Sequence, residues 1–428
     1  GETITTASAA WLWITAVFPT AVAGGLAFPI LAGSLGSSGG GRAYAIEATG
    51  ALAGGTLLSV VLMGFGTVVA LCLTLAIVTA ATVWRQSRVI AVLVVIIAAP
   101  LSPAAAQWLA RTGWHWSGTP GELSAWQETR LQRLEVSSGP PTTIFADGRL
   151  VASYPDPYEI LPRAHLTMLL HPNPRRVFAV GCVADGSVEA MARHPVEHLV
   201  VVEEDPVLLR NLPAWYGADA EAALTKAHVQ PVTSDPLRAI SVGQPWDLVI
   251  LRDGNPTTLR RNRTRTLEFL RRCRAHMRAD GILVMRVVVS DTYLGGAAGS
   301  LVATLATTLR EVFPKLAALP GGEILLIAGG PEAELDLDAD HLAERLLLRD
   351  LENPELIPEM IPLFVDRERA IALAERIDAA ARVNTIRRPR AVMLAGGLHE
   401  ARATPALIRL VLEIERRGAW PLAAVLGF

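Results

Sequence analysis

Lysine is nearly missing from this chain: Lys226 and Lys315 are the only two, so arginine carries the positive charge. Against 39 basic residues stand 41 acidic ones, a formal net charge of -2. The arginines are scattered, so no basic field for nucleic acid is expected. Cysteine is scarce as well. Cys72, Cys182 and Cys273 are an odd, dispersed set, which excludes a disulfide framework and a zinc spacing. No histidine precedes His115, which excludes a bis-histidine haem in the first hundred residues, and no Cys-x-x-Cys-His run occurs. Charge is scarcest at the start. Residues 1–108 hold five formal charges: Glu2, Arg42, Glu47, Arg85 and Arg88. Residues 1–30 lack the basic n-region of a signal peptide.

What fills the charge-poor region is apolar sequence. Stretches at about 8–34, 44–63, 65–84 and 88–108 match the ~20-residue length that crosses a bilayer. The sequence therefore predicts a multi-pass α-helical membrane segment of about four spans. Three spans, with one kinked, remain the alternative, because only Gly64 and Gly66 separate the middle pair. Phe18-Pro19, Phe28-Pro29 and Gly50-x-x-x-Gly54 read as helix-packing features. Glu47 reads as an interfacial acid, solvated with Arg42 or Tyr44, or else as a functional one. With four spans, Arg42, Arg85 and Arg88 fall on one face, and the positive-inside rule places the remaining body outside the cytoplasm. Trp114-His115-Trp116 reads as an interfacial anchor.

Beyond residue 108 the pattern changes. Residues 109–135 read as a linker and then an amphipathic stretch. Thr142–Phe145 and Arg149–Tyr154 flank Asp147-Gly148, a strong hairpin signal. Then βα alternation begins. Strands are expected at Arg176–Val180, His198–Glu203, His228–Val232, Asp247–Leu251, Ile282–Val289 and Glu323–Ala328. Helices are expected up to about Arg193, near Pro206–Tyr216, and over 261–278 and 298–313. Such alternation predicts a parallel, doubly wound sheet with its ligand at the carboxyl ends of the strands. Residues 331–428 read as helical. The domain reading is thus membrane helices over 1–108, a linker and hairpin region over 109–160, an α/β domain over 161–330 and a helical region over 331–428.

Several motifs stand in one order: Ser124-Ala-Trp-Gln127, Phe145-Ala-Asp147-Gly148, His171-Pro-Asn-Pro-Arg-Arg-Val177, Val177-Phe-Ala-Val-Gly181, Glu203-Glu204-Asp205-Pro206 and Ser234-Asp235. In that order they resemble the class I methyltransferase-like fold and, more narrowly, the spermidine synthases (polyamine aminopropyltransferases). Asn255-Pro-Thr-Thr258, Asn262-Arg263, Pro320-Gly-Gly322 and Val383-Asn384-Thr385 with Pro389 resemble its bacterial branch fused to membrane helices. So do Phe18–Pro29 and Gly41–Ala45. Relatives of that branch carry more N-terminal helices, so this chain looks short. The resemblance implies a Rossmann-like domain, a bacterial inner-membrane location, and decarboxylated S-adenosylmethionine or S-adenosylmethionine as cofactor if the protein is active. A bilayer and membrane-protein partners or a second copy are the expected associations.

The resemblance also assigns site residues. Glu203 is the ribose acid, Asp235 the adenine-side acid, Gly181 the start of the Gly-rich loop, and Gln127 the glutamine at the amino-acid end. Other motifs depart from the family. Gly181-Cys182-Val183-Ala184-Asp185-Gly186 replaces Gly-Gly-Gly-Asp-Gly-Gly, and side chains at 182 and 183 stand where glycine allows close approach. In the catalytic loop Arg252 and Asn255 replace the two aspartates of Asp-x-x-Asp-Pro. Arginine cannot serve as a base and repels an ammonium group. Asp253 is the one residue left to take that role by a register slip. The Tyr-His-Glu element is absent near Glu159–Pro162, and His165 reads as structural. Arg260–Arg274, with seven arginines, reads as a solvated helix face or an anion-binding stretch at the site rim.

Three readings follow. A protein that has lost aminopropyl transfer would serve as a binding or assembly subunit of a membrane complex. An active S-adenosyl-nucleotide-dependent aminopropyltransferase, or a related transferase, is the second. A fragment of a transporter fusion is the third.

Overall fold

The computed structural model describes residues 39–56, 103–116 and 121–400, except 353 and 378–380, together with positions 29, 32, 33, 36 and 119. The chain divides into two compact units, Gly1–Ser137 and Ser138–Phe428.

In the first unit, helices run over Gly39–Thr56 and Pro103–Trp116. Strands β1 (Glu122–Glu128) and β2 (Arg133–Ser138) follow and pair with each other. Ser124 Oγ donates to Val136 O across the pair at 2.9 Å. The stretch read as a linker and an amphipathic run therefore holds strands, with exposed and half-buried positions alternating over the first four residues of β1.

The integral-membrane localisation is corrected. Among the described residues no helix is long and apolar enough to cross a membrane. Helix Gly39–Thr56 covers the start of the expected 44–63 span, but it is rich in glycine and carries Arg42 and Glu47. Most of the other expected spans lie outside the described residues.

The second unit is built on a seven-stranded sheet. A hairpin comes first, β3 (Thr142–Ala146) and β4 (Arg149–Tyr154), turned by Asp147 and Gly148 at φ 52° and 73°. Both turn residues adopt the left-handed backbone that a two-residue hairpin requires. Then come β5 (Arg176–Val180), β6 (His198–Glu203), β7 (Val229–Thr233), β8 (Trp246–Leu251), β9 (Met277–Val287), β10 (Lys315–Leu319) and β11 (Ile324–Gly329). Their spatial order is β10-β11-β9-β8-β5-β6-β7. β9, β8, β5, β6 and β7 are mutually parallel, while β11 runs antiparallel to β9 and β10 antiparallel to β11.

The central strands are apolar on both faces, as helix-covered parallel strands are. All six residues of β8 and of β11 are buried. Phe178 and Trp246 pack with ring centroids 5.3 Å apart, and Arg176 lies over Trp246. Asp247 Oδ2 accepts from the N–H groups of Arg175 and Arg176 at 2.9 and 2.8 Å, fixing the start of β8 to the start of β5.

The strands expected at 176–180, 198–203 and 247–251 stand there, β8 beginning one residue earlier. Two features differ. β10 was not expected, because Lys315-Leu-Ala-Ala-Leu319 is short and weakly branched. The helix expected over 261–278 is broken into Leu259–Asn262, a 3-10 turn and Leu267–Ala275, with Thr258 and Thr266 capping the two α-helical pieces. Asn384 holds that break. Its Nδ2 donates to Asn262 Oδ1 and Arg265 O, its carbonyl accepts from Leu267 N, and its own N–H donates to Thr308 Oγ1.

Candidate functional site

Consecutive connections leave β5 in opposite directions, to β6 on one side and, later, to β8 on the other. The carboxyl ends of β5 and β8 are thus the topological switch point where such sheets form a crevice. Four of the five site residues named from sequence, Gly181, Glu203, Asp235 and Asp253, stand along this edge. Gln127 does not join them within the second unit; it is an exposed residue of β1 in the first.

Gly181 follows β5 with φ 73°. A Cβ there would come within 2.4 Å of Asp253 Cα. The glycine is needed because the turns after β5 and β8 touch, with Arg252 N donating to Val180 O at 2.9 Å. The rest of the loop is packed rather than open. Cys182, Val183, Ala184 and Asp185 are all buried, and burial raises the Cys182 thiol pKa. Gly186, also at φ 73°, lies against the ring of Tyr154, which stacks on Tyr216 at 4.2 Å.

Glu203 ends β6. Its Oε1 accepts from Asp205 N at 2.9 Å, and Oε2 has no partner among the described residues. Burial pushes its pKa up to about 7, and the backbone hydrogen bond works against that shift. Asp205 caps helix Pro206–Tyr216 through Val207 N. Asp235, after β7, caps helix Pro236–Ala239 through Leu237 N, and its other oxygen pairs with Arg263.

The β8 side is different. Arg252 is 3% exposed and its Nε pairs with Asp185 Oδ2 at 2.8 Å. Asp185 Oδ1 accepts from both the N–H and the hydroxyl of Ser187. Arg252 Nη1 and Nη2 are buried and have no hydrogen-bond partner. Beside this pair, Arg286 near the end of β9 grips Glu323, with Nε on Oε2 at 2.5 Å. Burial pushes the Glu323 pKa upward, but Arg286, Arg252 and Arg163 together hold it below its ordinary value. Arg163, 3% exposed, donates through Nε to Glu159 Oε1 at 2.6 Å, and its Nη1 is buried without a partner.

On Asp253, the candidate base, Oδ2 takes a hydrogen bond, while Oδ1 lies in an ion pair but is buried with no hydrogen-bond partner. Arg265 Nη1 lies 2.7 Å from Oδ1, and Thr264 Oγ1 donates to Oδ2 at 2.6 Å. Asn255 makes a two-point contact with the backbone: Nδ2 donates to Val288 O at 3.0 Å, and Oδ1 accepts from Val288 N at 2.9 Å. In the arginine-rich stretch, Arg260 pairs with Glu204, Arg263 with Asp235 and Arg265 with Asp253. These arginines neutralise the acids of the site edge.

His165 belongs to a buried chain of fixed direction. Arg349 donates to His194 Nδ1 at 2.7 Å, His194 Nε2 meets His165 Nδ1 at 2.9 Å, and His165 Nε2 reaches Glu355 at 3.0 Å. Because an arginine only donates, each ring donates through Nε2. Burial and Arg349 hold His194 well below its ordinary pKa.

Sequence reasoning noticed Arg252 as a loss but missed Arg163, Arg286 and Glu323 as its neighbours. The available signal was an arginine in the apolar run Ile282–Val289 and a glutamate opening the apolar strand that follows. Among the described residues no group of His, Cys, Asp and Glu is placed to hold a metal.

No protein-family model matches the chain. It is 29% identical over 135 residues to a polyamine aminopropyltransferase of Thermococcus onnurineus, covering 30% of this chain and 47% of the relative. To a polyamine aminopropyltransferase of Thermoanaerobacter sp. it is 26% identical over 152 residues, covering 35% and 52%. The chain thus spans about half the length of these curated relatives. A crystal structure of spermidine synthase in complex with the transition-state analogue AdoDATO superposes with a TM-score of 0.51 at 18% identity, over 60% of this chain and 89% of that one. The α/β unit therefore has the spermidine synthase-like, methyltransferase-like fold.

Proposed function

We propose that the second unit binds an S-adenosyl nucleotide at the carboxyl edge of β5–β8 and acts as a transferase of the polyamine aminopropyltransferase type. The observation that carries the reading is Glu203: a carboxylate at the end of the strand next to the switch point, with Oε2 available to accept ribose hydroxyls. Gly181 lets the β5 and β8 turns close together beneath the ligand. Asp235, one strand further, marks the base side. Sequence similarity to two aminopropyltransferases and the shared fold support the same ligand class, decarboxylated S-adenosylmethionine or its parent.

An amine acceptor must lose its proton before it attacks the carbon next to the sulfonium. None of Arg252, Asp253 and Asn255 supplies a free base: the first is a cation, the second is held by Arg265 and Thr264, and the third is an amide bound to backbone. Transfer here relies on an amine that arrives deprotonated. The rate with a diamine then keeps rising with pH toward the amine pKa, about 10 for an alkylammonium.

A second reading shares the nucleoside and drops turnover: a ligand-binding subunit. The Arg252–Asp185 pair in place of a base aspartate favours it. One experiment separates the two. The purified chain is titrated calorimetrically with S-adenosylmethionine, its decarboxylated form and methylthioadenosine, and is then incubated with nucleotide and diamine under mass-spectrometric readout. Binding with product formation supports transfer. Binding without product supports the subunit reading. No binding by any of the three nucleosides overturns both.

A further inference from the structure

Three buried guanidinium groups, Arg163, Arg252 and Arg286, lie around the buried carboxylate of Asp185 and the partly buried one of Glu323. Glu159, the partner of Arg163, is half exposed and screened by water. The cluster therefore carries surplus positive charge away from solvent. It also carries surplus donors: Arg252 Nη1 and Nη2 and Arg163 Nη1 are buried with nothing to accept their hydrogens. A buried donor left without an acceptor loses its hydration with nothing in return, more so when charged, and native proteins seldom leave three together. Asp185 uses only the Nε of Arg252, so the ion pair orients the guanidinium and leaves both buried Nη groups unpaired. Two parallel N–H donors on a planar fork are the complement of a carboxylate.

The order of the strands says where that carboxylate comes from. Along the carboxyl edge stand β7 with Asp235, β6 with Glu203, β5 with the Gly181 loop and β8 with Arg252. A ribose on Glu203 sends its base toward β7 and its sulfonium arm over β5 toward β8. Two strand spacings, about 10 Å, separate β6 from β8. The arm of S-adenosylmethionine spans a gap of that order and ends in a carboxylate. The decarboxylated form ends in an ammonium, which Arg252 repels.

We propose that Arg252 makes this site selective for a nucleoside that keeps its carboxylate, so that S-adenosylmethionine, not its decarboxylated form, is the preferred ligand. The inference rests on the nucleoside reading above and departs from the amine-terminated ligand that the resemblance implies.

Calorimetry on the full chain with S-adenosylmethionine, decarboxylated S-adenosylmethionine and methylthioadenosine tests it. The expected result is at least about tenfold tighter binding of S-adenosylmethionine than of the decarboxylated form, the effect of one charge-assisted contact. Arg252→Gln is expected to abolish the difference, with its unfolding transition recorded alongside. The wild-type comparison decides the matter even if that variant fails to fold. Equal affinity, or tighter binding of the decarboxylated form, overturns the proposal while leaving nucleoside binding intact. Failure of all three ligands overturns the nucleoside reading and this inference with it.

Discussion

The two halves of the carboxyl edge are built on different rules. On the β6–β7 half, each acid is fixed by the backbone two residues ahead: Glu203 by Asp205 N and Asp235 by Leu237 N. These bonds are local, so the acids stand wherever the strand-to-helix turn forms. On the β5–β8 half, the residues that follow β8 are fixed by partners in other elements. Arg252 is held by Asp185, Asp253 by Arg265, and Asn255 by Val288. The fold places a side chain at each of these positions but leaves its chemistry open, which is why one half can carry acids while the other carries a buried arginine.

The comparison breaks most visibly at Asp185. Its side chain and that of Arg252 are each under 5% exposed. Asp185→Ala removes the hydrogen-bonded counter-charge of a buried guanidinium and also strips the loop of the bonds to Ser187. Removing one partner of a buried pair costs about 3–5 kcal/mol. Chemical denaturation is expected to show a loss of that size. A loss under about 1 kcal/mol would mean that Glu323 alone balances Arg252.

Glu203 tests the other half through pH. Its pKa is raised to about 7 in the folded protein, from 4.5 for the ordinary side chain. The stabilisation linked to the bound proton is complete below the unfolded pKa and is lost as pH rises through about 7. Glu203→Gln cannot ionise, so it should match the wild type near pH 4 and exceed it above pH 8, by about 3 kcal/mol in denaturation experiments. Binding runs the opposite way. The ionised carboxylate accepts hydroxyl hydrogens best, so nucleoside affinity in the wild type strengthens as pH passes 7. In Glu203→Gln it stays flat and weaker, by about tenfold or more. A variant that weakens binding without flattening the pH profile would locate the titrating group elsewhere.

The same contrast sets what the sequence could reveal. β5, β6 and β8 were legible because strands buried on both faces read as unbroken apolar runs. Glu203 and Asp235 were legible because their capping turns are local. The Arg163–Asp185–Arg252–Arg286–Glu323 cluster was not, because its members are spread over four connections and meet only once the sheet is assembled. Arg260, Arg263 and Arg265 read as a solvated face for the same reason, yet each pairs with an acid of the site edge. Strands β1 and β2 were passed over because the tryptophan, glycine and proline that precede them suggested a connector. The apolar stretches in residues 1–108 satisfied a length rule for spans, but where they overlap helix Gly39–Thr56 they include three glycines and Glu47, which lower its hydropathy.

The smallest expected effect falls on Asn255, and it is the sharpest probe of the β8 half. Asn255 answers one backbone donor and one backbone acceptor of Val288 with its two amide atoms. An aspartate keeps the bond from Val288 N but turns a second oxygen toward Val288 O. Because the position is half-buried, water relieves part of that repulsion, and Asn255→Asp should cost about 1 kcal/mol. The loss should shrink at acid pH, where the protonated carboxyl can donate to the carbonyl. If the variant is as stable as the wild type at neutral pH, the loop has room to release an aspartate toward the site, and gain of diamine transfer in that variant becomes the next measurement. If it loses the expected stability in a pH-dependent way, the amide is there to close the turn after β8 onto the end of β9, and the distance between this site and an amine-activating one is a matter of backbone pairing as much as of charge.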